Sequence, residues 1–366
     1  MTVTGGRGLE IGIGAHYRDV VSQRWPVIVA PQSEELLSSW LHRLAIANGV
    51  APRDFARVLG PGSGPGSGLW TASLDLRLPA PVAACLLTHT GVSRQKLVAM
   101  SLKRSAWRPL LLPLRSRGRR GRSTWLQYCP CCLAEDAQPY FRRRWRLATW
   151  ISCPDHGCGL RDRCRSCGSG IAASDQPDLA PQHLCVRCGF DLRRAPKVAV
   201  STSARRLERC IDDICRLEAV TGRLTGTLTG NLGGSPLVQS LQRLPAIAGL
   251  APTSPLSGLS TSARRRCFEQ LARTPCTWLT AGDDGVVVHW RRLILAAGGT
   301  GALMGQLVKA LERGRHLQAS PSRSVPKADL PALLAAYLDL KVQPPRPDLR
   351  LHPLAARAGP SRAPDG

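Results

Sequence analysis

No window of the 366-residue sequence approaches 18 consecutive apolar residues, and the opening MTVTGGRGLEIGIGAHYRDV has no continuous apolar core. Neither a membrane span nor a secretory signal is therefore expected. Acids are scarce: 25 Asp plus Glu face 50 Lys plus Arg, and between Arg53 and Leu133 only Asp54 and Asp75 are acidic. A nuclease or transposase needs acids grouped around two metal ions, and no such grouping is visible. No G-x-x-x-x-G-K-[ST] occurs, which excludes a phosphate-cradling ATPase loop. Lysine is also rare; arginine supplies the base, a preference that a GC-rich coding sequence produces without selection. The net charge of +25 still calls for a polyanionic partner, and nucleic acid is the leading one.

The chain is long enough for two to three domains. Residues 1–24 are Gly-rich and aperiodic and read as a mobile leader. Residues 25–122 read as a helical N-terminal domain. In it, Ser33 is expected to cap a helix through SEELLSSWLHRLAIANG that stops at Gly49, and PRDFARVLG to form a second, short helix. GPGSGPGSG from Gly60 is a flexible loop. APVAACLLTHTGVSRQKLVAM then has helix-turn-helix form, with Gly91 in the turn and Ser93 capping a second helix whose first residues, Ser93, Arg94 and Gln95, are candidate nucleic-acid contacts. Lys103 to Arg122 carries eight basic residues and no acid, broken by Pro109 and Pro113. It reads as a basic strap, with Arg115, Arg117, Arg119, Arg120 and Arg122 as phosphate-binding candidates.

Residues 196–280 read as helices separated by long loops, 281–342 as a second helix-turn-helix-like region, and 343–366 as a disordered tail. The fold class expected is mainly α, with a small β-rich, zinc-ribbon-like module at 123–195 and helix-turn-helix elements on both sides of it.

Fourteen cysteines do not read as a disulfide framework in a chain of this size, and nine of them fall between Cys129 and Cys188. Cys129, Cys132, Cys153 and His156 make one tetrahedral set; Cys164, Cys167, Cys185 and Cys188 make another. Two-residue spacing lets both donors of a tight turn converge on one ion about 2.3 Å away, and glycine after the pair, as at Gly168 and Gly189, permits the backbone that this turn requires. Each set fills a zinc coordination sphere, so two structural Zn2+ ions are expected and no catalytic one. Cys158 is a competitor for the place of His156, and Cys131 lies beside the proposed ligands. Cys85, Cys210, Cys215, Cys267 and Cys276 follow no such pattern and read as packing residues. Between the halves of the first set, PYFRRRWRLATW alternates aromatic and basic residues. A short strand there would put Arg142, Arg144 and Arg146 on one face, as nucleic-acid contacts or as solvated charges around a small aromatic core.

The run Trp25-Pro26, Glu35, Ser39, Trp40, Arg43, Leu44, Asn48-Gly49 and the string CPCCLAEDAQPYFRRRWRLATWISCPDHGCGLRDRCRSCG resemble the TniQ family of transposition target-selection proteins, which includes the TnsD-type proteins. The likeness extends over about 25–192. It implies a bacterial, cytoplasmic, nucleoid-associated and non-catalytic adaptor that binds DNA or a target-bound complex. Its implied partners are an AAA+ ATPase of the TniB/TnsC type and, through that, a DDE transposase; some members dock as a dimer on an RNA-guided complex. The eight metal ligands carry over position by position. The late segment HWRRLILAAGGTGALMGQLVKALERGRHL resembles the family's C-terminal helix-turn-helix, with its turn altered to Gly-Gly-Thr-Gly. On chemistry alone, a stand-alone zinc-containing helix-turn-helix transcription regulator is the alternative.

Overall fold

The structure is a computed structural model that describes residues 24–59, 74–76, 78–102, 110–114, 126–171, 179–220, 236–249, 255–274, 276–279, 291–292, 294–296 and 298. The Gly60 loop, Arg115, Arg117, Arg119, Arg120 and Arg122 of the strap, nearly all of the late helix-turn-helix-like segment and the tail lie outside the described residues. Helices dominate: α1 (Leu37–Ala47), α2 (Pro52–Val58), α3 (Ala80–Thr90), α4 (Arg94–Met100), α5 (Pro130–Glu135), α6 (Thr202–Val220), α7 (Pro236–Gln242), α8 (Leu244–Ile247) and α9 (Thr261–Leu271). Among the described residues the expected β-rich module holds isolated antiparallel bridges only, such as Glu35 with Arg142, Tyr128 with Arg161 and Leu111 with Leu147. Its segments are too short for a ladder because each turns back at a cysteine pair.

The first core is helical. Leu37, Trp40, Leu41 and Leu44 of α1 pack with Phe55 of α2, Leu86 of α3 and Leu97 and Met100 of α4. The segment before α1 is tied across this core. Trp25 donates its backbone N–H to the His89 carbonyl and stacks on that ring, the Trp40 indole donates to Val29 O at 2.8 Å, and the Asn48 side chain exchanges two hydrogen bonds with Val27. Gly91 ends α3 at a left-handed φ of 66°, and the Ser93 hydroxyl accepts from Lys96 N to open α4, as the sequence suggested. Ser93, Arg94 and Gln95 are exposed.

The start of α1 differs from expectation. Ser33 does not cap it: Leu36 is the N-cap residue and no acid lies in the first turn. Glu34 takes a positive φ of 55°, and Glu35 turns inward, where its carboxylate accepts from Arg43 at 2.7 Å, from the Ser39 hydroxyl and from Gln32 N. Burial pushes this carboxyl up, against the opposing pull of those donors. A buried ion pair, which sequence spacing cannot show, has displaced the helix start by about a turn.

The PYFRRRWR run is likewise not a strand. Arg143–Arg146 is a single 3-10 turn, so Arg142, Arg144 and Arg146 do not share a face. Arg146 is buried against Asp75 at 2.8 Å, Arg142 is buried against Asp136 at 2.8 Å, and Arg144, half-buried, pairs with Asp155 at 2.9 Å. Arg142 also lies over the Tyr140 and Trp145 rings. The aromatic part of the expectation holds, since Phe141 and Trp145 are fully buried and meet edge to face. The middle of the strap is packed as well: Leu110 and Leu112 are buried, with Leu112 N donating to Arg146 O and Ala148 N donating to Leu110 O.

The helix α6 docks on the cysteine-rich module through acids. Glu208 accepts from Ile151 N, Ser152 N and the Ser152 hydroxyl, while the Trp150 indole donates to Asp212. Burial raises the Glu208 carboxyl from its ordinary 4.5 to about 7, despite these donors. An acid raised in the fold holds its proton there longer than in the unfolded chain, so its contribution favours folding below pH 4.5 and is lost as the pH rises through 7. Relative to wild type, Glu208→Gln is therefore expected to gain about 2–3 kcal/mol of stability between pH 5 and pH 8. Paired denaturant titrations at the two pH values check this; a pH-independent difference between the proteins would count against it. The N-terminus of α9 docks nearby, with Thr261 N donating to Asp162 and its hydroxyl donating to Gln127.

Candidate metal centres

Three of the four cysteine half-sites are one turn repeated. In each, the first cysteine's carbonyl accepts from the glycine four residues on: Gly157 N to Cys153 O, Gly168 N to Cys164 O and Gly189 N to Cys185 O, all within 2.8–3.0 Å. The same cysteine's N–H donates to the carbonyl five residues on, in Cys158, Ser169 and Phe190. The glycines sit at φ of 62°, 69° and 68°, a region that side chains other than glycine's enter at a cost. The fourth half-site is built otherwise. Cys129 precedes α5, Pro130 takes its first position, and Cys132 lies one turn in, so the helix start brings the two sulfurs to one side.

These turns bring all eight expected ligands together as two groups of four. The donor atoms of Cys129, Cys132, Cys153 and His156 lie within 4.8 Å of one another, as do those of Cys164, Cys167, Cys185 and Cys188. The edges are 3.4 Å from Cys132 to Cys153, 3.4 Å from Cys132 and from Cys153 to His156 Nδ1, and 3.7 Å from Cys129 to His156 Nδ1. In the second group they are 3.6 Å from Cys164 to Cys188 and 3.7 Å from Cys167 to Cys185. A tetrahedron with metal–sulfur bonds near 2.3 Å has edges of about 3.8 Å, so both sets fit one ion each. His156, and not Cys158, completes the first.

The electrostatics also suit a cation. Hydrogen bonds from Cys132 and Cys153 bring the Cys129 thiol down to about 6, while hydrogen bonding with Cys129 and then with Cys153 pushes the Cys132 thiol up. Burial opposes the charged His156 ring, yet Cys153 and Glu135 outweigh it and raise the imidazole to about 9. The Phe190 backbone amide chiefly lowers the Cys188 thiol, to about 7, whereas burial lifts Cys185 to about 12. Several thiols that cannot all ionise together would do so around a divalent ion.

One contributor escaped the sequence reading. Glu135 Oε1 lies 2.8 Å from His156 Nε2, on the side of the ring away from the sulfurs. With Nδ1 facing the sulfurs, that arrangement suits Nδ1 as a ligand atom with Nε2–H donating to the carboxylate, the usual support for a metal-bound histidine. The signal was there in C-x-x-E, which puts Glu135 one helical turn after Cys132.

Cys129, Cys132, Cys153, Cys164 and Cys185 are buried among Leu126, Tyr128, Leu133, Phe141, Trp145 and Leu160, whereas Cys167 is partly buried and Cys188 exposed, so the second group reaches the surface. Four protein donors in each group would leave a tetrahedral ion no coordination position for substrate. Cys210, Cys215 and Cys267 are buried as packing residues, and Cys85 is partly buried. No helix among the described residues is long and apolar enough to cross a membrane.

Residues 26–160 match the family model described as TniQ. The match takes in the helical core and the whole first metal centre, and it ends before the second, short of the stretch 25–192. No curated protein matches the chain.

Proposed function

We propose, from the match of residues 26–160 to the TniQ family model, that the chain is a non-catalytic, zinc-stabilised adaptor of DNA transposition of that family. It selects a target by binding DNA or a target-bound complex and recruits an AAA+ ATPase, through which a DDE transposase acts. The observation that supports the reading is the convergence of four donors, Cys129, Cys132, Cys153 and His156, inside the matched region, where a bound ion would be part of the scaffold. Zn2+ is the ion proposed for both centres, since sets of three thiolates with one imidazole and of four thiolates suit it. Contact with DNA falls to the exposed Arg94 and Gln95 at the start of α4 and to the strap arginines 115, 117, 119, 120 and 122. Arg142 and Arg146 are held inside by Asp136 and Asp75 and offer a polyanion little surface.

Binding to duplex DNA is expected to weaken steeply with salt, because each neutralised phosphate releases counterions. Changing the five strap arginines to Gln should lower affinity for all sequences alike and reduce the log–log salt slope by about 0.9 for each phosphate that is no longer neutralised. Fluorescence anisotropy across a salt series measures this, and an unchanged slope would assign the strap to a protein partner. In a reconstituted reaction, omitting the protein should abolish targeting or scatter insertion. Activity on a promoter without any response from the ATPase would favour the transcription regulator instead.

A further inference from the structure

Six soft donors crowd the first centre, although a tetrahedral ion takes four. Cys131 and Cys158 are left over, and they are not scattered. The Sγ atoms of Cys129, Cys131 and Cys158 lie within 4.8 Å of one another. The Cys129–Cys158 separation, 3.5 Å, is comparable with the 3.4 Å between the ligands Cys132 and Cys153. Local structure explains the grouping. The turn that presents Cys153 and His156 continues through Gly157 to Cys158, whose carbonyl accepts from Cys153 N. In α5, neighbouring residues point about 100° apart, so Cys132 faces one group while Cys131 faces the other. Cys129 belongs to both.

We propose that Cys129, Cys131 and Cys158 form a third metal site, which takes a further divalent thiophilic cation such as Zn2+, with the Cys129 thiolate bridging it to the ion of the first centre. The proposal rests on the reading of that first centre as metal-bound. Charge selects a divalent ion: binding converts two thiols and one M2+ into two metal-bound thiolates and two released protons, which leaves the net charge of the buried cluster unchanged. A monovalent soft ion such as Cu+ would displace the same two protons and leave the cluster one unit more negative, with burial opposing it. Cys129 and Cys158 are buried and Cys131 is only partly so, which gives an entry side and leaves a fourth position to solvent. Three protein ligands make this a weaker site than the two that are full, so it fills after them.

The test uses the full chain, reduced and under anaerobic conditions, starting from protein that carries two zinc ions. Titration with ZnCl2 should add one equivalent, release two protons per ion in weakly buffered solution, and protect Cys131 and Cys158 from N-ethylmaleimide as mapped by mass spectrometry. Cys131→Ser/Cys158→Ser should stay at two ions and release no protons. If the double variant does not fold, Cys131→Ser and the wild-type protection map answer the same question. Saturation of wild type at two ions, or alkylation of Cys131 undiminished by excess zinc, overturns the third site. Fewer than two ions at the outset, with Cys129, Cys132 and Cys153 all alkylated, instead overturns the reading of the first centre and the bridge with it.

Discussion

Chelation of the purified protein is expected to unfold it rather than merely to silence an interaction. Structural zinc contributes about 10–16 kcal/mol per site in small zinc-dependent domains, whereas a whole domain is stable by only about 5–15 kcal/mol. Loss of either ion would therefore remove a contribution comparable with the entire margin. The geometry explains why the loss would spread. The ligand turns enclose Leu133, Phe141, Trp145 and Leu160, and α6 and α9 dock on the module through Glu208 and Asp162. Circular dichroism and elemental analysis, followed together during titration with a strong chelator, should show helix content falling as zinc leaves. Protein as isolated should carry two zinc ions, and His156→Ala should carry fewer. Cys158→Ser should keep two, because Cys158 lies outside both sets of four. Glu135→Gln should weaken the first site about 10–100-fold, as loss of a carboxylate behind a ligating histidine does. A zinc-free chain that keeps its helices and melts cooperatively would sink the structural role.

What could be read beforehand was what is encoded locally. A C-x-x-C-G turn is closed by its own backbone, and the α3 to α4 corner is closed by Gly91 and by the Ser93 hydroxyl; both were legible from four or five residues. Two of the misses share a cause, which is ion pairing that sequence spacing does not show. Ser33 was expected to cap α1, but Glu35 turns inward to Arg43 and the helix begins after Leu36. The alternating Arg142, Arg144 and Arg146 looked like one strand face, but their carboxylates at Asp136, Asp155 and Asp75 lie in three directions and hold the chain in a tight turn. The apolar centre of the strap, Leu110 to Leu112, was hidden by the charge on either side of it. Sequence periodicity reports exposure to one face, and it fails where a charged side chain is folded inward with its partner.

The most consequential of these pairs is Asp75 with Arg146, and breaking it is expected to cost about 3–5 kcal/mol. Both side chains are almost fully buried, and burial pulls the Arg146 guanidinium below its usual range against the opposing pull of Asp75. Asp75 also accepts from the Ser38 backbone N–H and hydroxyl in α1, and Arg146 donates to the Leu112 carbonyl. One ion pair thus ties the helical core, the middle of the strap and the metal-binding module. Among the described residues, Arg146→Met leaves the buried Asp75 carboxylate with the Ser38 N–H and hydroxyl as its donors, an uncompensated buried charge. Asp75→Asn/Arg146→Met removes the orphaned charge while the amide oxygen still accepts from Ser38 N, and it should recover part of the loss. Denaturant unfolding of the wild type, both single variants and the double variant gives the coupling directly. A single variant within about 1 kcal/mol of wild type, or additivity of the two, would show that the pair does not hold these three segments together, since partners in contact normally couple by at least about 0.5 kcal/mol.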